Sequence, residues 1–213
     1  MRKRISLKTR HSDCTIAEFR EHYEKHHVPL GLSFIEHFQW RRYIRNYVVE
    51  RFGAPTLFDG YTEFWDDGDN DDVLAAFLSS PEFEILDRDD RHFLSVDRRF
   101  SAVVEEEVLV GVGDRDCDAR KYALLWRGAG ALAPDAAEFA GRLVTRLGDR
   151  LVEATLDRVA EPLSQDAPFE YMLSLRVAGE KAPLGEGEAW PSVGASLIRL
   201  DPVETPSELL YRD

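Results

Sequence analysis

One order of secondary-structure signals runs through this chain twice, and that constrains its fold more than composition does. Charged and apolar residues alternate from Arg4 to Lys8, as on a half-buried strand. Thr15, with Glu18 three residues on, forms a capping box. Ile16, Phe19, Tyr23, His27, Leu30 and Phe34 then follow at helical spacing. Pro29 is expected to kink or restart that helix, because it cannot donate to the preceding turn. Strands are expected from Trp40 to Glu50 and from Tyr61 to Trp65, with a loop from Phe52 to Leu57 between them. Helices over Val73 to Leu78 and, behind Pro81, over Glu82 to Leu94 lead into a strand from Phe100 to Val112. The order is β-α-β-β-α-β, the split βαβ or ferredoxin-like unit.

Gly111 to Asp118 reads as a linker, and behind it the order begins again. Lys121 to Trp126 is a strand, Pro134 to Leu147 a helix, and Leu151 to Ala160 and Glu170 to Val177 are strands. A loop rich in glycine and proline spans Gly179 to Pro191 before a last strand, Val193 to Leu200, so the second helix of this half is expected to be short or missing. Ala17-Glu18-Phe19 and Ala137-Glu138-Phe139 open matching helices 120 residues apart. The expected fold is α+β, with two tandem ferredoxin-like halves, residues 1–113 and 114–213, whose antiparallel sheets pack as a dimeric α+β-barrel-like arrangement. Helices cover one face of each sheet and leave the other bare, so the bare faces must pair within the chain or between two chains. An unpaired edge or face favours a homodimer.

Charge excludes several functions. Lys and Arg number 27 against 40 Asp and Glu, a formal charge of −13 shared almost evenly by the two halves. Such a surface suits neither nucleic acid nor an anionic membrane. There is no run of eighteen apolar residues to span a bilayer, and the basic start Met1-Arg2-Lys3-Arg4 has no apolar stretch behind it. Cys14 and Cys117 stand far apart and in no CxxC pattern, as free thiols do in a reducing compartment. A cytoplasmic location is the expectation.

Three of the six histidines fall between His22 and His27. His22 and His26 have the spacing of a metal pair on a helix, but no third ligand is evident nearby. His27 lies on the apolar stripe that faces the sheet. There it is either a satisfied core histidine or a general acid/base in a pocket between helix and sheet. On the second strand, alternation separates Trp40, Arg42, Ile44, Asn46 and Val48 from Arg41, Tyr43, Arg45 and Tyr47. The first set is the more apolar and is expected to meet the helices, making Asn46 a polar group in an apolar layer that must brace the fold or face a ligand. Glu63, among aromatics on the third strand, is a second candidate for a perturbed acid. The acidic run Asp66 to Asp72 fails the calcium-loop pattern, and no dinucleotide loop, nucleophile elbow, P-loop or HExxH is present.

With those residues in view, residues 3 to 112 resemble the EthD domain family of the dimeric α+β-barrel group. The resemblance rests on Ala17-Glu18-Phe19-Arg20 through Tyr23 to His27-Val28-Pro29-Leu30, on Tyr43 and Asn46, and on Asp59-Gly60 through Glu63 and Trp65. Ser80-Pro81-Glu82-Phe83 and Asp89-Asp90 before Phe93 complete it. Residues 114 to 213 look like a diverged copy without the histidine motif. The resemblance implies a small-molecule enzyme of lyase or oxidoreductase type that needs no bound cofactor and acts on a hydrophobic aromatic or carbonyl compound. His27 would move a proton, with Asn46 and Glu63 orienting it or the substrate. Tyr23, Phe34, Trp40, Tyr43, Tyr61 and Phe93 would line the pocket. Two alternatives stand beside it: a non-catalytic binding or oligomerisation protein, and a haem-binding, peroxidase-like member of the same fold group.

Overall fold

Eight antiparallel strands close on one another: β1 (Arg2–Lys8), β2 (Arg42–Gly53), β3 (Gly60–Asp66), β4 (Phe100–Val110), β5 (Ala119–Trp126), β6 (Leu151–Pro162), β7 (Tyr171–Ala178) and β8 (Ser196–Glu204). Their order around the barrel is β1-β3-β2-β8-β5-β7-β6-β4, returning to β1. The structure, a computed structural model, describes residues 1–54, 56, 58–111, 118–127, 136–163, 167–184 and 195–212. The run β8-β5-β7-β6 repeats the order β4-β1-β3-β2 strand for strand, and the β2–β8 and β4–β6 ladders join the two runs. Both joining ladders carry register shifts, which add the local bend and twist that closure demands.

Helices lie outside the barrel. The capping box forms as its sequence implies: the Glu18 amide donates to Thr15 Oγ1 at 3.2 Å and the Thr15 amide to Glu18 Oε2 at 2.8 Å, starting α1 (Ile16–His22). The next turn, Tyr23–His27, is a π-turn whose closing bond runs from the Val28 amide to the Tyr23 carbonyl. Behind it Pro29 opens α2 (Val28–Leu32), so the proline marks a restart of the helix. The remaining helices are α3 (Ile35–Phe38), α4 (Asp71–Leu78), α5 (Pro81–Phe93) and α6 (Ala136–Leu147). Asp66 and Asp71 from the acidic run are held by Arg2 and Arg4 of β1, which accounts for two of those carboxylates without any cation.

Three apolar cores result. One fills the end of the barrel lumen around Ile5, Leu7, Phe100 and Met172. A second lies between the first-half helices and the sheet, around Phe19, Tyr23, Tyr43 and Phe93. A third packs α6 on β5, β6 and β7. No helix among the described residues is long and apolar enough to cross a membrane.

Two expectations need correction. The helices meet Tyr43, Arg45 and Tyr47, not Ile44, Asn46 and Val48. Tyr43 and Tyr47 belong to the helix-side core, whereas Val48 belongs to the lumen core. Closure buries both faces of β2, so relative apolarity no longer tells which face meets a helix. The helix instead offers Glu24, which accepts hydrogen bonds from Arg45 and from the Tyr47 hydroxyl. Phe52 and Gly53 continue β2 instead of starting the loop, because they pair with Leu197 and Ser196. The linker residues 112–117, the start of the Pro134 helix, the ends of the Gly179–Pro191 loop from 185 on and the start of the last strand at 193–194 lie outside the described residues. Of the two pairings open to the bare sheet faces, within the chain or between two chains, the barrel closes within one chain.

Candidate functional site

The π-turn sets the first group of residues. It places His27 one turn from Tyr23 on the buried side, with ring centroids 4.8 Å apart, and Phe93 of α5 packs 5.2 Å from the imidazole. Only 8% of His27 is exposed. Its Nδ1 lies 2.8 Å from Asp89 Oδ2, and the other oxygen of that carboxylate lies 2.8 Å from His22 Nε2. One carboxylate of α5 thus holds two histidines of the α1 and π-turn segment. Burial pushes Asp89 up, but the hydrogen bonds from His27 and His22 outweigh it and keep the carboxyl below its ordinary range. An ionised carboxylate only accepts, so the Nδ1 hydrogen is directed at Asp89 and Nε2 is left as the proton-accepting nitrogen. The Tyr43 hydroxyl stands 3.3 Å from that of Tyr23, and Trp40 packs on Tyr43 and Phe64 at the far end of this aromatic layer.

The second group lies on the other face of the sheet, inside the barrel. Lys3 Nζ contacts three carboxylates: Asp157 at 2.9 Å, Glu63 at 3.1 Å and Glu106 at 2.6 Å. Glu63 also accepts from Lys121 Nζ at 2.6 Å and from Asn46 Nδ2 at 2.8 Å. Burial opposes every charge here, and the partners decide the outcome. Burial pulls Lys3 down, yet Asp157, Glu63 and Glu106 hold its ammonium above the ordinary lysine value. Burial pushes Glu63 up, yet Lys121 and Lys3 hold it well below the usual carboxylate range. For Asp157, fully buried at 0% exposure, burial wins over Lys3 and the carboxyl is raised to about 6. Beside this centre the lumen opens into a cavity of about 380 Å³, lined by Lys3, Glu63, Trp65, Lys121 and Ser174 among others.

The structure therefore divides the residues expected to work together. His27, Tyr23, Tyr43 and Phe93 share the helix-side layer, with Trp40 at its end. Asn46, Glu63 and Tyr61 are in the lumen, so Asn46 and Glu63 cannot orient His27 across the sheet; the phase of β2 and β3 sends them inward. Phe34 packs on Phe77 of α4, away from the imidazole. Sequence reasoning missed Asp89 as the partner of His27, and Lys3, Lys121, Asp157 and Ser174 as lumen residues. An available signal was the alternation of Glu153, Thr155 and Asp157 on a strand, which sets three polar side chains on one face. Among the described residues, no group of three or more His, Cys, Asp or Glu side chains is arranged to hold a metal ion.

A closed eight-stranded antiparallel barrel with helices outside, and a largely buried imidazole paired with a carboxylate between the π-turn and α5, defines an α+β barrel. Residues 11–97, which include both His27 and Asp89, match the EthD domain. No curated protein matches the chain. Among solved structures, the chain is similar to an anthrone oxidase-like protein, with a TM-score of 0.54 and 8% identity, covering 95% of this chain and 92% of that one. It also aligns with a candidate monooxygenase from Lactobacillus acidophilus NCFM, at a TM-score of 0.47 and 9% identity over 97% of this chain and 96% of that one. At such identities the first likeness speaks for the fold alone.

Proposed function

We propose that this protein is an EthD-type small-molecule enzyme that moves a proton on a hydrophobic, carbonyl-bearing aromatic compound, using its own side chains and no bound cofactor. The observation that carries this reading is the 2.8 Å contact from His27 Nδ1 to Asp89 inside the segment that matches the EthD domain. A carboxylate that fixes one imidazole nitrogen leaves the other as a general base. Tyr23, Tyr43 and Phe93 supply apolar contact for a ring, and the Tyr23–Tyr43 hydroxyl pair supplies a donor for a carbonyl or enolate oxygen. The rings of this layer pack on one another, so this reading requires the π-turn and α5 to part for a substrate. Under the same reading, the two runs of strands are tandem ferredoxin-like halves, and the second half takes the place that a partner subunit fills in simpler relatives.

The test is proton exchange in heavy water at the C10 methylene of anthrone, which lies across the central ring from the carbonyl and is acidified by it, followed by NMR. This reads the proton-transfer step whatever follows it. The wild type is expected to accelerate exchange, and His27→Gln to lose about 100-fold or more of that acceleration. The close ring packing favours a second reading, a structural tie between the π-turn and α5. Under it, His27→Gln lowers stability and exchange is no faster with the wild type than in buffer.

A further inference from the structure

We infer that the barrel lumen is a separate ligand site, for an uncharged, ring-sized compound carrying a carbonyl or hydroxyl oxygen. The cavity, about 380 Å³, falls within the range of small-molecule pockets, and Ile44, Trp65, Val110 and Pro202 give it apolar walls. Its polar groups are not balanced by the protein alone. An ammonium carries three hydrogens. Those of Lys3 face Glu63, Glu106 and Asp157, whereas Lys121 Nζ bonds Glu63 and borders the cavity with donors to spare. Ser174, 6% exposed and on the cavity wall, has its buried hydroxyl beside that of Tyr61, and among the described residues neither makes a hydrogen bond of ordinary geometry. The buried Asn46 Oδ1 has no hydrogen-bond partner among them.

The ladder registers explain why room exists. Ile5 faces Glu63 across β1 and β3, and Ala123 faces Ser174 across β5 and β7. Laid on one another, the two runs of strands put Ser174 where the other run has Glu63. On one side a carboxylate fills the space; on the other a short hydroxyl leaves it open, with Lys121 nearby.

Charge then selects the ligand. Lys3 and Lys121 face Glu63, Glu106 and Asp157, while Arg42 with Glu204 and Arg176 with Glu153 pair at the mouth. The lumen has no surplus of positive charge to receive an anion. An uncharged oxygen that accepts from Lys121 and Ser174 satisfies the donors without adding charge. This site stands apart from His27, on the opposite face of the sheet, and does not rest on the reading of that histidine.

Titration calorimetry of the full chain with 2-naphthol, uncharged at neutral pH, and with 2-naphthoate, which carries a carboxylate in place of the hydroxyl, tests the inference. The naphthol is expected to bind, and its affinity to fall about tenfold in Ser174→Ala and in Lys121→Met. His27→Gln should leave that affinity unchanged, and 2-naphthoate should bind about tenfold more weakly than the naphthol. Ser174→Ala changes one buried atom and keeps the test open if Lys121→Met does not fold. Absence of naphthol binding to the wild type, or binding undiminished by Ser174→Ala, overturns the inference. So does tighter binding of the naphthoate, or loss of naphthol binding in His27→Gln alone.

Discussion

Lys3 and Lys121 occupy corresponding positions in β1 and β5 and converge on one carboxylate, Glu63, at 3.1 and 2.6 Å. Two ammonium groups share a buried anion, and Asn46 supplies it with a further hydrogen bond. Removing the anion leaves Lys121 without its carboxylate and Lys3 with Glu106 and Asp157 alone. Glu63→Ala is therefore expected to cost about 3–5 kcal/mol. Urea denaturation at neutral pH measures it; a loss below about 1 kcal/mol would show that water reaches this centre freely.

Asp157 titrates in the opposite sense to its neighbour. Its folded carboxyl is raised to about 6, above the ordinary aspartate value, because burial outweighs Lys3. Between the unfolded value and about 6 the folded chain holds a proton that the unfolded chain has released. This group's contribution is thus fully present below the unfolded value and is lost as pH rises through about 6. Asp157→Asn copies the neutral acid, so it should flatten that decline and raise stability above about pH 6 relative to the wild type. Thermal melts from pH 4 to pH 8 decide the matter; a mutant that loses stability most at high pH contradicts it.

Glu63 and Asp89 give the complementary slope. Both carboxyls are held below their ordinary values, Glu63 by Lys121 and Lys3 against its burial and Asp89 by His27 and His22 against its own. Their stabilisation is present above the unfolded values and is lost as pH falls below them. Acid unfolding of the wild type should start below about pH 4, and Glu63→Gln should make the acid limb shallower as well as lowering stability at neutral pH. An acid limb with unchanged steepness in Glu63→Gln would remove Glu63 from this role.

Gly60 pairs with Tyr47 in the β2–β3 ladder. A Cβ there would stand 2.9 Å from the Asn46 carbonyl oxygen, a backbone atom that cannot swing aside. Gly60→Ala is expected to destabilise by about 1–3 kcal/mol and to disturb the Asn46–Glu63 bond next to it. Denaturant midpoints report the first effect. A neutral substitution would mean that the β2–β3 ladder gives way easily.

Thr15 and Glu18, and the restart at Pro29, were legible in the sequence because a capping box and a proline act through their immediate neighbours. Strand positions were legible too, since β-branched and aromatic runs bounded by glycine and proline leave few options. Asn46 and Glu63 show where such reading stops. Alternation separated the two faces of β2 from Arg42 on, though Trp40, before the strand begins, falls with Tyr43 and not with Asn46; choosing which face meets the helices assumed that only one is buried. In a closed barrel both are. Lys3 shows a second limit: in the middle of the basic tripeptide Arg2-Lys3-Arg4 it looks like part of a solvated terminus, and only the ladder with β3 and β4 turns it inward. Asp89 was part of the EthD-like pattern, yet its role emerges only when α5 lies against the π-turn.

The pairing of His27 with Asp89 is the centre of this account, and Asp89→Asn tests it most directly. An amide of the same shape can donate to Nδ1, which moves the imidazole hydrogen to Nε2 and removes the base while the packing stays intact. Anthrone proton exchange by Asp89→Asn, in a protein that melts close to the wild type, should fall about 100-fold. Exchange at the wild-type rate in that variant would contradict the assignment.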